Sequence, residues 1–292
     1  TDYNLPGAFY LLDEHSELIE EALNILLARH ESLRTVFKSK SGQARLEIMD
    51  EWKLHLQPVN LSRYRIEANK KKELRKLCKE EVRTPFDLEN GPLVRGKLFY
   101  LGDKQHILLL NIHHIVIDGW SIGVLFKELA IILKALSEKR QVLLPLLKFQ
   151  YADFAAWQRH WLAESSLLQS QITYWKQKLT GVPARLELLT DHPYSEVMNG
   201  EGAEYSFQLE QSLVKRLDDL AKSHRCSLFM VLLSLFKVLL YCYTGQQDIC
   251  VGSPIANRQY EGTQALIGMF VNTLALRTQI DAETDFLKAL DA

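Results

Sequence analysis

The sequence has no surplus of charge of either sign. Its 292 residues carry 35 Lys and Arg against 36 Asp and Glu, a formal net charge of −1 at pH 7. No basic field exists to gather a polyanion, so neither nucleic acid nor an anionic membrane surface is expected as a partner, and affinity has to come from shaped sites. Cysteine is scarce too. Cys78, Cys226, Cys242 and Cys250 lie in apolar or helical surroundings without paired metal-ligand spacing. That pattern predicts no metal site and no nucleophilic thiol, and it suits a reducing cytoplasm. A membrane-length apolar run is also missing. The longest one, Leu228 to Tyr243, is broken by Ser234 and Lys237, and a span needs roughly 20 apolar residues, so a buried core helix is expected there. Thr1 follows no methionine and no charged-then-apolar leader, and the last residues, Leu287 to Ala292, lie inside a helical pattern. The expectation is a piece of something larger.

What is present centres on Asn111-Ile112-His113-His114-Ile115-Val116-Ile117-Asp118-Gly119-Trp120-Ser121. The apolar run His106 to Leu110 before it predicts a buried strand, and the spacing from Ile122 to Leu129 after it predicts a helix. A side chain at such a junction is held by a rigid element and still faces a cleft, as a working imidazole requires. Successive strand side chains face opposite ways, so one of His113 and His114 is expected to be structural and the other functional. Asp118 has two readings from its position alone: it turns back toward a histidine, or it pairs with a cation. Gly119 permits the tight backbone that the first would need.

This stretch resembles the HHxxxDGWS core motif of the condensation domains of nonribosomal peptide synthetases. Four further segments are similar to motifs of that family: Arg29 to Phe37, the pair Pro85 to Leu88 and Gly91 to Leu93, Tyr151 to Gln158, and Gly268 to Leu274 followed by Arg277. They occur in the family's order across most of the chain. The continuation Ser121-Ile122-Gly123-Val124, with Arg29 to Phe37, resembles the subtype joining an L-configured donor to an L-configured acceptor.

At this length single cores tend to split in two. Alternating helices and strands in two units predict an α/β or α+β arrangement. Residues 1–175 are expected to form a first lobe carrying the histidine motif, and residues 176–292 a second. The irregular stretch from Gly181-Val182-Pro183 through Asp191-His192-Pro193 and Asn199-Gly200 marks the boundary. The resemblance implies two chloramphenicol acetyltransferase-like lobes set in a V, a pseudo-dimer with a tunnel between them.

Within the first lobe, apolar spacing predicts a helix over Glu14 to His30, a strand over Leu33 to Phe37, a solvated helix over Asn69 to Arg83 and a strand over Leu93 to Leu101. Glutamates at helical spacing from Lys70, Lys71, Lys72, Lys76 and Lys79 make that stripe a solvated face instead of a nucleic-acid surface. In the second, strands are expected at Ala203 to Leu209 and Asp248 to Pro254, with a helix at Leu213 to His224. Ser121, at the mouth of a helix, is expected as its N-cap, and Trp120 as a wall packed on core.

The resemblance implies that His114 is the catalytic residue and that His113, Asp118, Gly119 and Arg29 organise the site. Arg29 is the expected partner of Asp118, since a cleft-side carboxylate is tolerably buried only beside a guanidinium; Arg34 is the second choice. Trp120, Ser121, Tyr151, Trp157 and Asn272 are candidates for lining the tunnel or an interface. The implied activity is acyl transfer that forms a peptide bond. The α-amine of an acceptor aminoacyl group attacks a donor thioester, with both groups carried on phosphopantetheine arms and no cofactor bound by the domain itself. The implied partners are upstream and downstream peptidyl carrier domains and an adjacent adenylation domain of the same megasynthase, in secondary-metabolite or antibiotic biosynthesis. Three rivals share the fold: a stand-alone coenzyme A-dependent acyltransferase, an epimerisation domain and a noncatalytic docking domain. Intact Gly119-Trp120-Ser121 argues against epimerisation, and His114 with Asp118 argues against pure docking.

Overall fold

The computed structural model describes residues 2–50, 52–164, 166–192, 202–281, 283 and 285–291. The chain divides into two compact units: Thr1–Glu164 with Ala256–Asn272, and Ser165–Ile255 with Thr273–Ala292. The first unit therefore closes before residue 175, and Ala256–Asn272, read from sequence as part of the second lobe, returns to it. Pro193, Asn199 and Gly200 of the expected boundary stretch lie outside the described residues.

The first unit is built on a four-stranded sheet of β1 (Asn4–Leu11), β6 (Gln105–His113), β5 (Val94–Gly102) and β4 (Gln57–Asn60), in that order. β6 is antiparallel to both β1 and β5, while β4 runs parallel to β5. The unbroken apolar run of β6 follows from burial on both faces. Leu108, Leu110 and Ile112 enter a core with Leu23 and Leu26 of α1 (Ile19–Arg29) and Leu125, Leu129 and Ile132 of α3 (Gly119–Ser137). Ile107 and Leu109 point the other way, into a cluster with Leu61, Phe99, Leu101 and the Leu74 and Leu77 side of α2 (Glu67–Arg83). β6 thus runs between two packed layers and ends at His113.

Local differences from expectation have local causes. Residues Glu31–Arg34 form a 3-10 turn before β2 (Thr35–Lys40), not a strand. Ser32 Oγ donates to Ile267 O at 2.8 Å, and Arg34 donates to Leu27 O and Met49 O, which pins the turn from both sides. β2 then pairs with β3 (Gln43–Ile48) through Ser41 and Gly42, both at positive φ (53° and 75°), the type I′ geometry that matches strand twist. Helix α1 starts at Ile19, after a 3-10 turn at Asp13–His15. Most of α2 is solvated as expected; its buried exception, Glu81, takes Arg95 at 2.6 Å and Lys97 at 3.0 Å. The unit also contains α4 (Tyr151–Glu164).

The second unit comprises α5 (Ser166–Leu179), α6 (Gln211–Ser223), α7 (Leu228–Thr244), the paired strands β7 (Asp248–Ile255) and β8 (Asn272–Gln279), and α8 (Phe286–Asp291). Helix α7 is not the fully buried core helix expected. Val231, Lys237 and Leu240 are buried, while Phe229, Phe236 and Leu239 are about half exposed. The cause is limited cover: α6 and α8 pack around Val231, and the two strands around Leu240. Ala203 to Leu209 forms no strand, and Tyr205 and Phe207 stand exposed. Among the described residues no single helix is long and apolar enough to cross a membrane.

Candidate active site

Strand β6 ends at His113, a 3-10 turn spans His114–Val116, and α3 starts at Gly119. The two histidines are treated differently by this turn. His113 Nδ1 accepts from Ile115 N at 3.1 Å, which leaves its proton on Nε2. Its ring meets Phe86 edge-on at 5.8 Å. Burial chiefly holds its pKa below the usual imidazole value, with the neighbouring His114 a smaller contribution, so His113 is a neutral packing residue. His114 is anchored through its backbone: N donates to Tyr3 O at 2.8 Å, and its O accepts from Ile117 N at 3.3 Å. Its half-buried side chain has no hydrogen-bond partner for Nδ1 among the described residues.

Asp118 does not turn back to either histidine. Its Oδ1 accepts from Ser121 N at 2.8 Å and from Arg258 Nη2 at 2.9 Å. Its Oδ2 accepts from Phe270 N at 2.9 Å and Val271 N at 3.2 Å. Four donors satisfy a carboxylate that is 1% exposed, which is the condition for burying such a charge. The N-cap of α3 is therefore Asp118, and Ser121 sits inside the first turn. Ser121 Oγ instead donates to Gly268 O at 3.0 Å and accepts from Gly268 N at 3.1 Å and Arg258 Nη2 at 2.6 Å. Arg258 also donates to Thr263 O and Leu266 O and lies 4.0 Å over the Phe270 ring. Burial lowers the Arg258 pKa, and Asp118 opposes that shift.

The expected pairing of Arg29 with Asp118 is thus overturned. Arg29 Nε reaches both Glu128 oxygens, at 3.2 and 3.0 Å, and its Nη2 donates to Pro145 O. Buried His30 donates from Nε2 to the same Glu128 at 2.8 Å. Although burial alone would raise Glu128, His30 and then Arg29 bring its pKa below the usual value. This cluster ties α1 to α3 and is a separate element from the Asp118 pair. Arg34, the second choice, is occupied by backbone carbonyls.

The other candidates separate as well. Gly119 has no positive φ, and a Cβ placed there would meet nothing within 4 Å, so no tight turn requires it. Trp120 is half exposed and donates from Nε1 to Gln264 O at 3.0 Å; it is a strut on the 256–272 segment, not a wall on core. Tyr151 donates to Met269 O at 2.9 Å and packs on Phe270, supporting the backbone that feeds Asp118. Burial chiefly, then the charge of Asp118, raises its phenol pKa. Trp157 lies further along α4 and is 41% exposed. Asn272 is exposed at the start of β8. Sequence reading missed Arg258. The signal was the demand of a buried carboxylate for a cation, but nothing in spacing says which of many arginines answers it.

A strand-end histidine followed by a fully satisfied, arginine-paired aspartate defines a class of α/β proteins carrying the HHxxxDG arrangement. The chain belongs to the condensation domain family, whose model matches residues 1–292. It is 40% identical over 289 residues to malpibaldin synthetase of Mortierella alpina, covering 99% of this chain and 5% of that one. It is 40% identical over 271 residues to phosphinothricin tripeptide synthetase PhsC of Streptomyces viridochromogenes, covering 93% of this chain and 25% of that one. The chain therefore spans only a small part of the length of these relatives. Among solved structures, the X-domain from teicoplanin biosynthesis superposes with a TM-score of 0.85 at 26% identity, over 99% of this chain and 64% of that one.

Proposed function

We propose that the chain catalyses peptide-bond formation between two thioester-bound groups presented by an upstream and a downstream carrier domain. The acceptor's α-amine attacks the donor's thioester carbonyl. A C–N bond forms, the C–S bond breaks, and the proton lost by the amine ends on the departing thiolate. The substrates arrive on phosphopantetheine arms, and the neighbours include an adenylation domain of the same cytoplasmic synthetase, joining L-configured groups.

The observation that carries this reading is the strand-end position of His114, four residues ahead of an aspartate whose four hydrogen bonds leave it no free role in proton transfer. His114 is then the group that meets the amine, and only its neutral form accepts a proton. Magnitudes set its share. Holding two tethered reactants together supplies effective molarities of about 10⁵ to 10⁸ M, whereas a general base adds about 10² to 10⁴ in rate. Positioning dominates, and the imidazole finishes the step.

The likeness to the X-domain favours one rival reading, a binding module, because that domain has also been solved in complex with OxyB. Turnover separates the two. Two carrier domains loaded with defined aminoacyl groups should yield a dipeptidyl species on the downstream carrier, identified by mass spectrometry. No coupled product above the rate without the protein would favour the binding module.

A further inference from the structure

The Tyr151 to Gln158 motif is only half used by the site. Tyr151 supports the Asp118 network, but Trp157 faces elsewhere, into a pocket of about 290 Å³ lined by Phe149, Asp153, Phe154, Trp157, Tyr260 and Glu261. Its walls are aromatic and partly open. Trp157 and Tyr260 are 41% and 40% exposed and meet edge to face at 4.7 Å. Trp161 stacks behind Trp157 at 16° and 6.0 Å.

The pocket is shaped by backbone as well as by rings. Gly262 has φ +88°, and a Cβ there would fall 2.9 Å from the Phe149 ring, so the chain is drawn against that wall in a conformation side chains resist. The rim is acidic. Asp153 Oδ2 accepts from Gln150 N at 2.8 Å, and Oδ1 has no hydrogen bond among the described residues. Glu261 takes the exposed Lys148 ammonium at 3.1 Å. Asp153, Glu261 and Lys148 leave the rim one negative charge in excess.

Aromatic faces carry negative potential, and a planar guanidinium both stacks on them and pairs with a carboxylate. The volume lies at the lower end of small-molecule sites, which run from about 300 Å³ upward, and suits one side chain better than a whole ligand. We propose that this pocket receives an arginine side chain of a partner polypeptide, its guanidinium stacked on Trp157 beside the steeply inclined Tyr260 ring, with Asp153 as its counter-ion. Buried aromatic and arginine anchors are what protein interfaces concentrate their affinity in.

The test titrates two capped tripeptides, Gly-Arg-Gly and Gly-citrulline-Gly, into the protein while following tryptophan indole N–H signals by NMR. Citrulline keeps the shape of arginine and removes the charge. The arginine peptide should give a saturable shift with a Kd lower than that of the citrulline peptide by roughly two- to fivefold. Trp157→Leu should abolish the response to both peptides. Asp153→Asn retains the acceptor for Gln150 N and should narrow the preference, leaving the part the rings supply, with citrulline binding in place. Equal affinity for the two peptides in the parent protein, no saturable shift with either, or unchanged binding by Trp157→Leu with its fold intact by circular dichroism would overturn the proposal. A preference for arginine undiminished in Asp153→Asn would overturn the assignment of Asp153.

Discussion

Asp118 and Arg258 stand 140 positions apart in the chain and meet at 2.9 Å with side chains only 1% and 2% exposed. One end of the pair caps α3 directly behind the histidines. The other end gathers the carbonyls of Thr263 and Leu266. The pair therefore fixes the 256–272 segment to the helix that follows the His114–Val116 turn, and its removal should be felt as lost structure before lost chemistry.

Asp118→Asn turns one acceptor into an N–H group that faces either Arg258 or the Phe270 and Val271 amides, and it leaves a buried guanidinium unpaired. Breaking one side of a buried ion pair destabilises by about 3 to 5 kcal/mol. Denaturant unfolding should show that loss, and Asp118→Asn with Arg258→Met should lose less than the two single changes added together. Strict additivity would mean that the pair does not act as a unit.

Arg29→Ala removes a partner of Glu128 and loosens α1 against α3. Because its contacts are shared with His30 and Pro145 and not with Asp118, its effect should add to that of Asp118→Asn within about 0.5 kcal/mol. A larger coupling in the double variant would restore Arg29 to the aspartate's network.

Gly119→Ala places a methyl group in open space at the first position of α3. Where the backbone is compatible, such a change stabilises by about 0.4 to 1 kcal/mol through the unfolded chain. The melting temperature should hold or rise. A fall would show that the glycine is needed by the fold. A hold with reduced turnover would assign the open space beside the turn to substrate.

Stability should also respond to pH through His113. Its folded pKa is lowered by burial and by His114, so above the ordinary imidazole pKa of about 6.5 the neutral form is common to both states. As pH falls below that value the unfolded chain takes up the proton first, and the stability that His113 contributes is lost toward its folded pKa. Melting temperatures between pH 7.5 and pH 5.5 should fall less for His113→Gln than for the parent. Parallel curves would remove His113 as the source.

Much of this architecture is legible in the amino-acid order alone. Burial on both faces writes β6 as an unbroken apolar run, and the placement of the motif between that strand and α3 follows from the change of period. The edge strand β1 is hidden because Pro6 and Gly7 interrupt its alternation, which an edge tolerates and a sequence pattern does not advertise. The partner of Asp118 is hidden for a different reason. The position of Asp118 leaves open whether it turns back to a histidine or pairs with a cation, and the choice between Arg29 and Arg258 is made by where a distant segment returns. Trp120 and α7 escape a reading from hydrophobicity because burial is decided by what covers a side chain, not by its size or polarity.

The most direct test is turnover by His114→Ala beside the parent, with two loaded carrier domains, coupled product counted by mass spectrometry and folding checked by thermal melting. The variant should melt close to the parent, bind both carriers, and form product about 10² to 10⁴ times more slowly. Product formation at the parent's rate by a folded His114→Ala would contradict the account.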